Sequence, residues 1–299
     1  MIKVLITGSG GMLGKDIFYL FSEDKNFIVY GLDKLPLEKL DNQIAIDLLD
    51  ENSLRKTLEK IKPDIIIHCA AMVNVDECEK NKKSAFDLNV RTTDFLSQYQ
   101  PLNTKFVYIS TDSVFDGQTG NYSEESSPNP LNYYAITKLE GEKCVQKNNR
   151  QAIILRTNIY GFHHRKGNSL VEWAIENFRN NQAVNGFTDV IFNPVYTKQL
   201  ARVIKLCLEK NFTGILNVAS DSVLSKYDFL IKLGDAFGYS SELVKKTSVD
   251  LFNFTASRPK NTCLNVQKLK KIFGLSISFD AGMEELKNDY QKKFTSIRD

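Results

Sequence analysis

Short apolar runs alternate along the first half of the chain with stretches in which apolar residues recur every three or four positions. The runs are IKVLIT (2–7), FIVYGLD (27–33), IIIHCAA (65–71), KFVYIST (105–111) and QAIILRT (151–157). Each is rich in β-branched residues and shows no polar alternation, which predicts strands buried on both faces. Between them, Met12–Phe21, SLRKTLEKI (53–61), SAFDLNVRTTDFLSQY (84–99) and NYYAITKLEGEKCVQK (132–147) carry helical spacing. Pro63 and Asp64 end the second of these. Strand–helix alternation of this kind predicts an α/β fold of the Rossmann type, a doubly wound parallel sheet covered by helices on both faces.

After Thr157 the rhythm changes. GFHHRKGNSL (161–170) is polar and VEWAIENFRNN (171–181) helical, while NGFTDVIFNPVY (185–196) reads as loop or short strand. LARVIKLCLEK (200–210) is helical and GILNVAS (214–220) adds a sheet strand; YDFLIKLGDAFG (227–238) and VQKLKKIFG (266–274) are further helices. The expected organisation is a dinucleotide-binding domain of residues 1–156 and 189–219. A smaller α/β substrate domain, residues 157–188 and 220–299, is interleaved with it.

Composition narrows the partners. The 299 residues are 42% hydrophobic and 25% charged, with a scattered net charge of +3. That balance favours neither nucleic acid nor a membrane surface. Cys69, Cys78, Cys144, Cys207 and Cys263 show no paired spacing, which predicts reduced thiols and a cytoplasmic location. The pair His163–His164 lacks matching cysteines, so no metal site is expected.

The first strand runs into ITGSGGMLGKDIF (6–18), with Gly8, Gly11 and Gly14 three apart. Gly8 suits a tight turn, Gly11 lets backbone approach a phosphate, and Gly14 allows close helix packing. The helix N-terminus would then hold a dinucleotide's pyrophosphate. A ligand-free strand–helix turn is the alternative. Asp33, 19 residues after Gly14, closes the second strand and can accept hydrogen bonds from ribose hydroxyls, favouring NAD. Lys34 offsets that charge and keeps NADP open; Asp33 as a plain turn residue is the other reading. Asp47 lies near the expected adenine side or caps the next helix.

YISTDSVFDG (108–117) ends the fourth strand, and Tyr134 and Lys138 follow at a spacing of four, on one helix face. A nearby ammonium favours the phenolate and should lower the tyrosine pKa. The lysine can also hold a nicotinamide ribose. Thr111 can donate to a carbonyl oxygen beside Tyr134. Such a set can polarise a ketone and protonate the oxygen as hydride arrives at carbon; a chance pair on a helix and a strand-capping Thr111 are the other reading.

In this order the residues resemble an extended short-chain dehydrogenase/reductase, and more narrowly the dTDP-4-dehydrorhamnose reductase family. The matching segments are ITGSGGMLGKDI, PDIIIHCAAMVNVDECE, LNVRTTDFLS, YISTDSVFDG, YAITKLEGEK, ILRTNIYG and RPKNTCLN. The resemblance implies NAD(P)H-dependent reduction of the 4-keto group of a nucleotide-linked deoxysugar, for surface polysaccharide synthesis. Thr111, Tyr134 and Lys138 match the catalytic set, and Gly8, Gly11, Met12 and Leu13 the pyrophosphate turn. Asp33, Asp47 and Leu48 match the adenosine side, and Cys69, Ala70 and Ala71 the strand end beneath the cofactor. Asn89 matches a helix position facing the cofactor. Asp112 and Val114 fall where the sugar approaches, and Arg258 near the diphosphate. Asn158 and Ile159 stand where the rhamnose enzymes carry tryptophan, so a different sugar or base is open. A homodimer is a candidate assembly. Alternatives are a sugar-nucleotide epimerase and a non-catalytic regulatory subunit of the methionine adenosyltransferase β type.

Overall fold

The computed structural model describes residues 1–37, 42–99, 101, 104–165 and 167–295. Strand β1 (Ile2–Thr7) leads through the glycine turn into helix α1 (Met12–Ser22), then β2 (Phe27–Asp33) and a short β3 (Gln43–Ala45). Asp50 caps α2 (Glu51–Ile61) by accepting from the Ser53 amide, and Lys62 at φ 51° ends it before Pro63. The cap is thus Asp50, not Asp47. After β4 (Ile65–His68) come α3 (Val75–Lys80), α4 (Lys82–Phe86), a π turn at Asp87–Arg91 and α5 (Thr92–Ser97). The last three form one rod where the periodicity predicts a single helix. Strand β5 (Lys105–Ile109), α6 (Tyr133–Asn148) and β6 (Ile153–Thr157) follow.

The chain then passes through β7 (Ile159–Tyr160), α7 (Leu170–Arg179), β8 (Val184–Phe187), β9 (Ile191–Phe192) and β10 (Val195–Tyr196). Helix α8 (Thr197–Glu209) and β11 (Gly214–Val218) return to the main sheet. Strand β12 (Leu224–Ser225), α9 (Lys226–Phe237), β13 (Val244–Thr247), α10 (Gln267–Phe273) and α11 (Phe279–Thr295) complete the described chain.

The main sheet has the order β3-β2-β1-β4-β5-β6-β11, with every pairing parallel. Alternation along β1 sends Val4 and Ile6 to a core shared with Ile17, Phe21, Leu200 and Ile204 of α1 and α8. Leu5 faces the other core, with Leu54 and Leu58 of α2, Leu96 of α5 and Val145 of α6. Both faces are covered, as the uninterrupted apolar runs require.

A second body forms around Tyr160, Phe178, Phe192, Phe229, Phe279 and Leu286, framed by α7, α9 and α11. Strand β8 pairs with β13, and β9 with β12. The buried cores cut across the expected division in two places. Phe192 and Tyr196, expected in the large unit with 189–219, pack in the core of the second body. Leu269 of α10 and Ile277 belong to the core of the main sheet, so this segment returns to the large unit rather than staying in 220–299. Among the described residues no helix is long and apolar enough to cross a membrane.

Candidate active site

Strands β1 and β4 are neighbours, and the chain departs from them toward opposite edges of the sheet. Their C-terminal ends therefore open a crevice, the place where such sheets bind ligands. A cavity of about 590 Å³ fills it. Gly8, Gly11, Met12 and Leu13 line one end, with Asp33, Lys34 and Leu48 beside them. Cys69, Ala70 and Ala71 form the middle, and Thr111, Tyr134, Lys138 and Asn158 the far wall.

The glycine turn is built as its spacing predicts. Gly8 sits at φ 69°, and a Cβ on Gly14 would fall 2.1 Å from the Gly8 carbonyl oxygen, so the helix meets the turn backbone directly. Gly11 is the N-cap of α1 and offers no side-chain acceptor to its first amides. Those N–H groups suit a phosphate. Asp33 already holds this turn: Oδ2 accepts from the Gly10 amide and Oδ1 from the Leu35 amide, both at 3.0 Å. Lys34 pairs with Asp47 at 2.9 Å, and Asp47 lies outside the cavity lining. Thr157, at the end of β6, also lines the cavity; its Oγ1 is enclosed yet has no hydrogen-bond partner among the described residues. An orphan donor there and bare amides at α1 fit a dinucleotide laid along the crevice.

At the far wall Asn132 caps α6, accepting from the Ala135 amide at 3.0 Å. This starts the helix so that Tyr134 and Lys138 share its cavity face. The Tyr134 phenol lies beside Thr111, whose side chain favours its ionised form. The Thr111 hydroxyl donates to Asp112 Oδ1 at 3.1 Å and accepts from the Ser113 amide at 3.2 Å. Lys138 is buried, its Nζ 4.0 Å from the Tyr108 ring centroid.

The electrostatics differ from the expectation of a phenol lowered by the ammonium. Burial pushes the Tyr134 phenol well above its ordinary value; the Thr111 side chain opposes this and Asp112 adds to it. Burial also brings Lys138 down to about 7, against the pull of Glu142. Desolvation disfavours both charges, so it outweighs their mutual help in the ligand-free site. Tyr134 is thus held neutral, with its proton in place.

Several sequence-matched residues lie elsewhere. Val114 is fully buried with Phe115, Tyr122 and Leu264 and is not part of this cavity's lining. Asn89 lies beneath the lining: its amide bonds both the N–H and the carbonyl of Met72, and Thr137 Oγ1. It shapes the β4 end instead of facing the cofactor site. Asp112 is buried under Thr111, and its Oδ2 accepts from Asn158 at 2.9 Å and Thr262 at 2.5 Å. Arg258 is outside this cavity. Its Nη2 donates to Asp76 at 2.6 Å, its guanidinium stands 4.8 Å over Phe254, and its enclosed Nη1 has no partner among the described residues.

Other residues of the site were not foreseen. Glu142 and Arg156 form a buried ion pair at 2.7 Å behind Ser110. His163 lines the cavity and bonds Glu172 through Nδ1 at 2.6 Å. Burial raises Glu172, but the His163 side chain and the Ser169 and His163 amides outweigh this and hold it at about 2. The capping box Ser169-x-x-Glu172 was readable and would have placed this carboxylate at the start of α7.

The sequence profile described as RmlD substrate binding domain matches residues 2–292. The chain belongs to this family. Within it, the chain is similar to a dTDP-4-dehydrorhamnose reductase of Aggregatibacter actinomycetemcomitans, 29% identical over 100% of this chain and 99% of that protein. It is also similar to the methionine adenosyltransferase 2 subunit beta of Bos taurus, 31% identical over 95% of this chain and 86% of that one. Among solved structures, a dTDP-4-dehydrorhamnose reductase of Clostridium acetobutylicum superposes with TM-score 0.87 at 28% identity, covering 97% of this chain and 100% of that one. The Bacillus anthracis dTDP-4-dehydrorhamnose reductase in complex with NADP gives 0.85 at 28%, covering 96% and 99%.

Proposed function

We propose that the protein is an NAD(P)H-dependent reductase of the keto group of a nucleotide-linked deoxysugar, of the dTDP-4-dehydrorhamnose reductase kind. The observation that carries the reading is the joining of Thr111, Tyr134 and Lys138 on one wall of a crevice whose other end is the glycine turn. The solved relative with NADP bound supports the cofactor class.

In this reading the amides of Met12 and Leu13 take the pyrophosphate, the Gly11 amide being held by the Gly8 carbonyl at 3.0 Å, and Asp33 and Lys34 face the adenosine ribose. Lys138 and Thr157 take the nicotinamide end. When bound, the nicotinamide supplies a hydride to the ketone carbon. Tyr134, neutral because it is buried, gives its proton to the ketone oxygen. Thr111 turns its hydroxyl from Asp112 toward the same oxygen. Asp112 loses little by this, since Ser113, Asn158 and Thr262 still donate to it. Lys138 then faces the tyrosinate and stabilises it. Arg258 takes an oxygen of the diphosphate through its unpartnered Nη1.

Oxidation of NADPH and NADH by the purified protein, with dTDP-4-dehydrorhamnose and related nucleotide-linked ketosugars, tests the reading. Turnover on one of them is expected. Dinucleotide binding with no turnover across the panel would overturn it. A substrate domain centred on α7, α9 and α11, a homodimer and a cytoplasmic location belong to the same proposal. Sedimentation checks the dimer.

A further inference from the structure

Lys226 is the first residue of α9, and its backbone amide is fixed to the Val190 carbonyl at 2.9 Å. Its half-buried side chain crosses the Phe192 ring, with Nζ 3.4 Å from the centroid. No hydrogen bond reaches that ammonium among the described residues. The carboxylate nearest in charge is Asp112, the one beneath Thr111. Asp112 already accepts from Thr111, Ser113, Asn158 and Thr262, so it bonds none of the three ammonium protons.

This cation is placed against its surroundings. It sits at a helix N-terminus, where the dipole favours negative charge. It is partly desolvated, and burial brings its pKa down to about 8, with Asp112 pulling the other way. The aromatic face offsets some of that cost. An anion near Nζ would resolve the rest.

The neighbouring strap says which anion fits. Residues 256–262 run from the large unit to the small one. Ala256 bonds Asp76, the Ser257 carbonyl accepts from Asn132, and Thr262 bonds both Ile191 and Asp112. Arg258 lies at one end of the strap and Lys226 beside the other. Lys260 on the same strap is neutralised by Asp250 and by Asp189 at 3.4 Å. Arg258 is set against Asp76. A sugar-linked diphosphate carries two negative charges, one sugar ring away from the carbon that Tyr134 serves.

We propose that Lys226 is the second cation of the substrate diphosphate site, binding a phosphate oxygen across the cleft from Arg258. This rests on the sugar-nucleotide reading above and adds a recognition residue on the small unit. Arg258 alone would leave one of the two charges without a cation.

The test is calorimetric titration of dTDP, UDP and thymidine into the full-length protein loaded with NADPH, for wild type, Lys226→Met and Lys226→Arg. Lys226→Met is expected to weaken dTDP about tenfold, the loss of one charge-assisted contact, while Lys226→Arg stays near wild type. Thymidine, which has no phosphate, should bind all three alike, and NADPH affinity should not change. Equal dTDP affinity in Lys226→Met and wild type would overturn the assignment and leave the sugar-nucleotide reading standing. A parallel loss of thymidine would also overturn it, by showing damage to the base site. Failure of wild type to bind either diphosphate would overturn both readings together.

Discussion

Arg156 grips Glu142 with two nitrogens, Nη2 to Oε2 at 2.7 Å and Nε to Oε1 at 3.0 Å, with both side chains withdrawn from solvent. Glu142 is on α6 and Arg156 on β6, and Ser110 donates to the same carboxylate at 2.5 Å. The pair locks the helix bearing Tyr134 and Lys138 to the strand ending at Thr157. Glu142→Gln should cost about 3 kcal/mol, because it leaves a buried guanidinium without its counter-charge. Urea unfolding checks this; a loss well under 1 kcal/mol would mean that the guanidinium finds water or another acceptor.

Tyr134→Phe removes the hydroxyl that meets Thr111 and little else. Turnover should fall by at least about 10²-fold, the range for losing a positioned acid, with NADPH affinity nearly unchanged. Undiminished turnover in stopped-flow reduction would take the proton-donor role from Tyr134.

Much of this site was legible in the sequence because it rests on local rules. The glycine spacing, the strand end at Thr111 and the four-residue Tyr–Lys interval each fix geometry within one strand–turn–helix unit. What escaped depends on distant packing. Val114 matches a substrate position, yet it turns inward onto Phe115 and Leu264, 150 residues away for the latter. Asn89 keeps its place on the helix, but Met72 takes its amide. Glu142 and Lys226 look like ordinary helix charges until β6 and Phe192 are set against them. Helix α11 carries mostly polar residues; Met283 and Leu286 are buried only because the second body presents an apolar surface to them.

Asp33 offers the next prediction. Its carboxylate already holds the amides of Gly10 and Leu35, so replacing it with Asn keeps one acceptor for the turn and removes the charge. The negative charge opposes a ribose 2′-phosphate. Asp33→Asn should therefore shift the ratio of NADPH to NADH affinity toward NADPH by about fivefold or more, on the scale of one charge–charge contact near a surface. Fluorescence titration of both cofactors reads it. An unchanged ratio would leave Asp33 as a turn residue only.

Lys138 makes the stability of the ligand-free protein depend on pH. Its folded-state pKa is about 7, lowered by burial, while the unfolded chain holds the same proton to about 10.5. Between these values the unfolded state binds more protons, so this group makes stability rise with pH; below the lower value both states are protonated and its cost is constant. In the folded state the groups around it keep their protonation across that window, and their titration in the unfolded chain is common to wild type and variant. Burial leaves His68 at about 3 and Cys69 at about 12, and Glu142 stays bound to Arg156. Lys138→Met has no such proton. Denaturant unfolding at about pH 6.5 and about pH 9.5 should show wild type gaining on the variant at the higher pH. Parallel stabilities at both would mean that the buried ammonium keeps its charge in the ligand-free site, solvated by water within the crevice.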